Sequence, residues 1–321
     1  MSRAPESLAE QQTFLYERYG VGMLTAPSEA WPHERTATND FSPTSQKAYP
    51  FTTENINSYI DGIDVNGARV AAICGSGDFG FSAVMLGAKS VDHVDSVISA
   101  NFWAELKAVG LHKLSSLGDF KRFFGSAGPD RGVTGPDRLN PEVYGELRSG
   151  LSDQTRHYFD QLITPRGLAP YLRHGFLINK LTNVPKNMRM VPYLDDQVCY
   201  DAARASRERS RFHPTSMQNF LGVAAPESYD LIYLSNIDAY MPDSVYAALY
   251  GDAMRVARPG GEIIKTGFIH HTSPDARHRV ERQANEHAER LKLDTAPKVF
   301  IGDYLPVSGA ETYATVMTMN S

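Results

Sequence analysis

An apolar, β-branched run that stops at two glycines constrains this chain more than any other stretch. Val70-Ala-Ala-Ile-Cys-Gly-Ser-Gly-Asp-Phe-Gly80 reads as a strand ending in a Gly75-Ser76-Gly77 turn, with Phe81 to Gly87 as the following helix. Glycine at a strand end lets the backbone approach a ligand closely. The helix N-terminus behind it turns partial positive charge toward that ligand. An ordinary strand-to-helix turn has the same shape, so the features downstream decide between the two.

Those features extend one pattern. Ser90-Val-Asp-His-Val-Asp95 is a second strand one helix later, which makes a βαβ unit with a right-handed crossover. Asp95 ends that strand about twenty residues past the glycines, where a carboxylate can accept from ribose hydroxyls. A third strand is placed near Arg211-Phe-His-Pro-Thr215 and a fourth over Tyr229-Asp-Leu-Ile-Tyr-Leu-Ser235. The helix Ser244 to Ala257 then meets Arg258-Pro-Gly-Gly-Glu262, read as a helix-ending turn, before a fifth strand at Ile263 to Gly267. A charged helix follows from Pro274 to Leu293. Val299 to Val307 and Tyr313 to Met319 read as an antiparallel hairpin on the sheet edge. The expected fold is α/β, a doubly wound Rossmann-like sheet with a terminal antiparallel strand and a helical cap insertion.

The chain between Asp95 and the third strand is too long for one crossover. It carries helical patterns at Trp103 to Leu111, Glu142 to Leu151, Gln154 to Ile163 and Leu194 to Arg209, and a Gly/Pro-rich loop from Gly125 to Pro141. Residues 101–209 are therefore read as an insertion capping the carboxyl ends of the strands. Residues 65–100 and 210–321 form the nucleoside-binding domain. Residues 1–64 form a helical and lid segment: a helix over 7–24, a polar stretch from Pro27 to Thr53 carrying Trp31, Phe41, Tyr49 and Phe51, and a short helix from Glu54 to Ile60.

Composition removes several alternatives. A net charge of −5 gives no electrostatic case for nucleic acid. No apolar run reaches the ~18–20 residues that span a bilayer, and the N-terminus lacks the apolar core of a signal peptide. Cys74 and Cys199 offer neither a disulfide framework nor a metal motif, and Cys74 reads as a small core residue. His270 and His271 end the fifth strand without the cysteine or spaced carboxylate that a metal would need. The expectation is a cytoplasmic, metal-free protein acting on a small molecule.

Strand, Gly-x-Gly, helix, strand, Asp, then Tyr229 to Ser235 and Arg258-Pro-Gly-Gly, resembles the class I S-adenosylmethionine-dependent methyltransferase fold over most of residues 65–320. Dinucleotide-binding oxidoreductases compete, but they usually carry a third glycine in the turn and no terminal antiparallel strand. Phe102-Trp-Ala-Glu-Leu-Lys-Ala, Leu117-Gly-Asp-Phe-Lys-Arg-Phe-Phe-Gly125 and Leu234-Ser-Asn-Ile-Asp238 are similar to blocks of the betaine-lipid type of 3-amino-3-carboxypropyltransferase. That resemblance implies S-adenosylmethionine as substrate and cleavage at its γ-carbon with release of methylthioadenosine. Among the natural-product relatives of that family, enzymes like azetidine-2-carboxylate synthases close the amino-acid arm on itself. A small, acidic chain with no lipid or nucleic-acid surface suits ring closure. Transfer of the arm to a small-molecule or lipid acceptor, ordinary methyl transfer, and a non-catalytic nucleoside-binding domain stay open.

The candidate cofactor residues are Gly75, Ser76, Gly77, Asp95, Ser96, Asn101, Ser216, Met217, Ser235 and Asn236. Ser216 and Met217, with Gln218, follow the third strand, near where this fold holds adenine. Asn101 supports the ribose or caps a helix. Asn236 is expected to orient the amino-acid arm, and Asp238 to take its proton or hold its ammonium. Tyr193 and Tyr240 are candidates to face the sulfonium, since an aromatic face attracts a cation. Arg173, His174 and Lys180 offer cations for a carboxylate or form a solvated basic face.

Overall fold

The computed structural model describes residues 50–125, 139–164, 167–168, 184–270, 276–290, 293–303 and 310–320. Its main sheet has strands β1 (Arg69–Ile73), β2 (Ser90–Val94), β3 (Ser210–His213), β4 (Tyr229–Tyr233), β5 (Ala257–His270), β6 (Lys298–Asp303) and β7 (Ala310–Thr318). Their order is β3-β2-β1-β4-β5-β7-β6. The first five run parallel, whereas β7 lies antiparallel between β5 and β6. This is the sheet of the class I methyltransferase fold.

Strands covered on both faces must be apolar on both, and the central ones are. Val70 and Ala72 of β1 pack with Val91, Leu231 and Tyr233, while Ala71 packs on the opposite face with Val94 and Ile232. Helix α1 (Asp78–Met85) begins directly behind Gly77, three residues ahead of the expected start, with Asp78 in the first turn where an acid is favoured. Helix α2 (Ile98–Lys113) leaves the end of β2.

The chain between α2 and β3 adds α3 (Leu117–Phe124), α4 (Pro141–Arg148), α5 (Asp153–Leu162) and α6 (Gln197–Ala205). Their aromatic residues Phe120, Phe124, Tyr144, Phe159 and Tyr200 share one core cluster with Phe81 of α1 and Trp103 of α2. On the other face lie α7 (Met217–Val223) and α8 (Asp243–Val256). Helix α9 (Ala276–Arg290) precedes the closing strands.

Two local expectations change. Pro-Gly-Gly does not end the helix: α8 stops at Val256, and Ala257 already pairs with Tyr229. The register then slips, and pairing resumes at Leu231 with Glu262. Arg258 to Gly261 form a bulge with Gly260 at φ +74, tied to the end of β7 by Gly260 N–H to Met319 O (3.1 Å) and Met319 N–H to Gly261 O (2.8 Å). The expected helix over Glu54 to Ile60 is instead two 3-10 turns, Ile56–Ser58 and Ile60–Gly62.

The helix over 7–24, the lid aromatics Trp31, Phe41 and Tyr49, most of the Gly125 to Pro141 loop, Arg173, His174, Lys180 and His271 lie outside the described residues. So do the side chains of Tyr240 and His270. Among the described residues no helix is long and apolar enough to cross a membrane.

Candidate functional site

Strand register brings three chain segments to one edge. Ile73 is level with Val94, and Ala72 with Tyr233, so the turn after β1, Asp95 after β2 and Ser235 after β4 emerge side by side. The two glycines there have different tasks. Gly77 sits at φ +84, where an added Cβ would stand 2.7 Å from the Phe81 ring and 2.9 Å from Ala104 Cβ, so it is needed for packing. Gly75 sits at φ +53 with nothing within 4 Å of a Cβ, which leaves an open floor.

Asp95 reaches back over that floor. Its carboxylate accepts from Gly75 N–H and Val97 N–H, both at 2.8 Å. Burial raises its pKa to about 6 even against these two bonds. Each oxygen retains a free lone pair, so an ionisable acceptor beside an open turn fits the paired hydroxyls of a ribose. Asn101 braces the loop, donating to Asp95 O at 3.0 Å, while its own Oδ1 is buried without a partner. Ser96 is exposed beside it.

A buried polar network supports the turn from below. Asp78 is 1% exposed and Lys107 is 0% exposed, with Nζ 2.5 Å from Oδ1. The same oxygen accepts from the Tyr193 hydroxyl at 2.9 Å. The other oxygen accepts from Ser76 Oγ (2.8 Å) and Thr52 N–H (2.6 Å). Lys107 also lies 4.2 Å from the centre of the Phe51 ring. Burial lowers the Lys107 pKa, and the Asp78 charge works against that shift. Tyr193 therefore does not face an open sulfonium pocket: it is fully buried, its ring edge-on to Phe81 and Phe120. Sequence reasoning missed Asp78 and Lys107. The available signal was the spacing of Lys107 one helical turn after Trp103, on the same helix face as that buried ring.

At the end of β4 the chain turns through Ser235, whose φ is +53 and whose carbonyl accepts from Thr266 N–H at 3.0 Å. The Ser235 hydroxyl meets Glu54 Oε1 at 2.5 Å, and the Tyr233 hydroxyl donates to Glu54 Oε2. Glu54 is 4% exposed. Burial raises its pKa, and the Ser235 and Tyr233 bonds oppose the rise. Phe79 of α1 stacks on Tyr233 with ring centres 3.8 Å apart, which fixes this corner against the glycine turn. Glu54 was also missed, because Thr-Thr-Glu-Asn has no local mark beyond a capping sequence.

The remaining candidates divide. Asn236 stands at the edge with Oδ1 3.3 Å from Ser235 Oγ. Asp238 is paired with Lys265 at 2.5 Å, so an ammonium already holds its carboxylate. Ser216 caps α7, accepting from Asn219 N–H at 3.1 Å, and Met217 is 2% exposed in the core. Ser216 is partly exposed, whereas the Met217 side chain packs inward.

No family model matches the sequence, and no curated protein matches it either. Solved structures similar to the chain include the N-methyltransferase NodS from Bradyrhizobium japonicum WM9, at 9% identity, 83% of this chain, 93% of that one and TM-score 0.36. The 1,6-didemethyltoxoflavin-N1-methyltransferase of Burkholderia thailandensis gives 11%, 83%, 85% and 0.37. A possible exported protein from Bordetella parapertussis gives 11%, 80%, 63% and 0.34, so the chain spans less than two thirds of that protein. Likeness at this level carries no functional argument. The strand order itself identifies the fold as the class I methyltransferase type.

Proposed function

We propose that this chain consumes S-adenosylmethionine, breaking the Cγ–S bond of the amino-acid arm with release of methylthioadenosine, and that it does so by closing the arm to azetidine-2-carboxylate. The observation carrying the cofactor is the Asp95 carboxylate over the open Gly75 floor, on the edge shared with Ser235 and Asn236. The choice of the γ-carbon rests on the resemblance of the Phe102, Leu117 and Leu234 blocks.

The sulfonium supplies the leaving group, so the protein must supply alignment, exclusion of water and a neutral amine. Alignment of an intramolecular attack is worth about 7–11 kcal/mol. Asn236 would orient the arm. Asp238, held by Lys265, would stand beside the arm's ammonium. Asp78 and Lys107 keep the turn rigid while Asp95 holds the ribose.

The fold commonly serves methyl transfer, which makes a small-molecule methyltransferase the second reading. Incubating the purified chain with S-adenosylmethionine alone separates the possibilities. Methylthioadenosine and a four-membered imino acid support ring closure. Methylthioadenosine that appears only after an acceptor is added means transfer of the arm. S-adenosylhomocysteine means methyl transfer.

A further inference from the structure

We propose that Ser235 and Glu54 form a proton relay, in which the Ser235 hydroxyl meets the substrate's α-ammonium at the sheet edge and Glu54 is the terminal acceptor behind it. This rests on the ring-closing reading above. The placement is specific. Ser235 is partly exposed at the edge beside Asn236, while Glu54 is buried directly behind it, 2.5 Å away. Ser235 Oγ lies between two acceptors, Glu54 Oε1 and Asn236 Oδ1, so its proton has two orientations.

The surroundings of Glu54 are polar but uncharged. Among the described residues Glu54 has no ion-pair partner; it is met by hydroxyls from Tyr233 and Ser235, with Tyr59 behind at 3.4 Å from the Tyr233 hydroxyl. The groups facing it are Tyr59 from its own segment, Tyr233 and Ser235 from β4 and its exit, and Thr266 from β5; among these none is a cation. A buried carboxylate without a counter-ion is unfavourable, and taking a proton relieves it. Both carboxylate oxygens accept from hydroxyls, and the one bonded to Ser235 Oγ opens toward the sheet edge, which gives a proton a path from the edge to Glu54. Burial raises the Glu54 pKa, which brings it closer to that of the amine it would relieve.

The step balances. Ser235 Oγ takes one proton from the ammonium as its own proton passes to Glu54 Oε1. The freed nitrogen lone pair forms a C–N bond to the γ-carbon as the C–S bond breaks, and that bonding pair leaves on sulfur as a neutral thioether. The protonated Glu54 returns its proton to solvent after product leaves.

The test is the pH dependence of methylthioadenosine release by wild type, Glu54→Gln, Ser235→Ala and the double variant, with cofactor affinity measured alongside by calorimetry. Either single substitution should lower kcat about a hundredfold and abolish the wild-type limb that rises with pH through the elevated carboxyl range; Glu54→Gln, which does not touch the substrate, should leave affinity within about threefold, whereas Ser235→Ala should weaken it as well. The double variant should be no slower than the singles, since the two act as a unit. Folded Glu54→Gln protein that keeps the wild-type rate and rising limb would overturn the relay alone. Should Glu54→Gln fail to fold, Ser235→Ala with an unchanged rate and limb would do the same. Wild-type protein that binds the cofactor and releases no methylthioadenosine would overturn the reaction, and the relay with it.

Discussion

Asp95, proposed above to hold the ribose, carries a cost in stability near neutral pH. Burial raises its pKa from 3.8 to about 6, so the folded chain holds the proton more tightly than the unfolded one. The stability this contributes is present below the unfolded value and is lost as pH rises through 6. Chemical denaturation at a series of pH values should therefore show the stability difference between wild type and Asp95→Asn moving in the variant's favour from pH 4 to 7; parallel curves would count against a raised carboxyl. Cofactor affinity should follow the opposite course, strengthening as Asp95 ionises. Asp95→Ala should weaken it about tenfold to a hundredfold, the range for losing a charged acceptor, without changing the product. Calorimetric titration showing unaltered affinity would remove Asp95 from the binding site. The position of Asp95 beside the Gly75 turn was readable because it follows from a spacing along the chain. Glu54 and Lys107 were not, because their meaning lies in Ser235 and Asp78, which are remote in sequence.

Among the elements, α1 shows what the glycines of the turn are for. Gly77 has φ +84 and its missing Cβ would press on Phe81 and Ala104; a Cβ on Gly80 would overlap the buried His93 ring. Gly77→Ala and Gly80→Ala should each cost about 1–3 kcal/mol through strain and overpacking. Gly75→Ala, with free space around its Cβ, carries only the smaller penalty of a positive φ. Urea midpoints for the three variants check the ranking, and a Gly75→Ala loss as large as that of Gly77→Ala would contradict it. The strands β1 and β4 were legible because two-sided burial writes apolar residues into the sequence, whereas β2, with Asp92 and His93, was legible from its place one helix after β1. Arg258-Pro-Gly-Gly was misread for a physical reason: a helix end and a strand bulge both need glycine at positive φ. Only the pairing with β4 and β7 tells them apart.

For the whole molecule, the Asp78 and Lys107 pair joins parts distant in sequence: Phe51 and Thr52 from the N-terminal segment, the glycine turn, α2, and Tyr193 from the chain before β3. Lys107→Met should cost about 3–5 kcal/mol, because it leaves a buried carboxylate unpaired, and adding Asp78→Asn should recover part of that loss. Equal stability of the single and double variants would show that the pair does not act as a unit. The same network holds the turn beneath Asp95 and so connects the core to the proposed chemistry. The most direct measurement of that chemistry is the fate of the methyl group of S-adenosylmethionine carrying a ¹³C-labelled methyl. Mass spectrometry should find the label retained on methylthioadenosine, with an unlabelled four-membered imino acid formed in equal amount. Label on any other molecule, with S-adenosylhomocysteine left behind, would contradict cleavage at the γ-carbon.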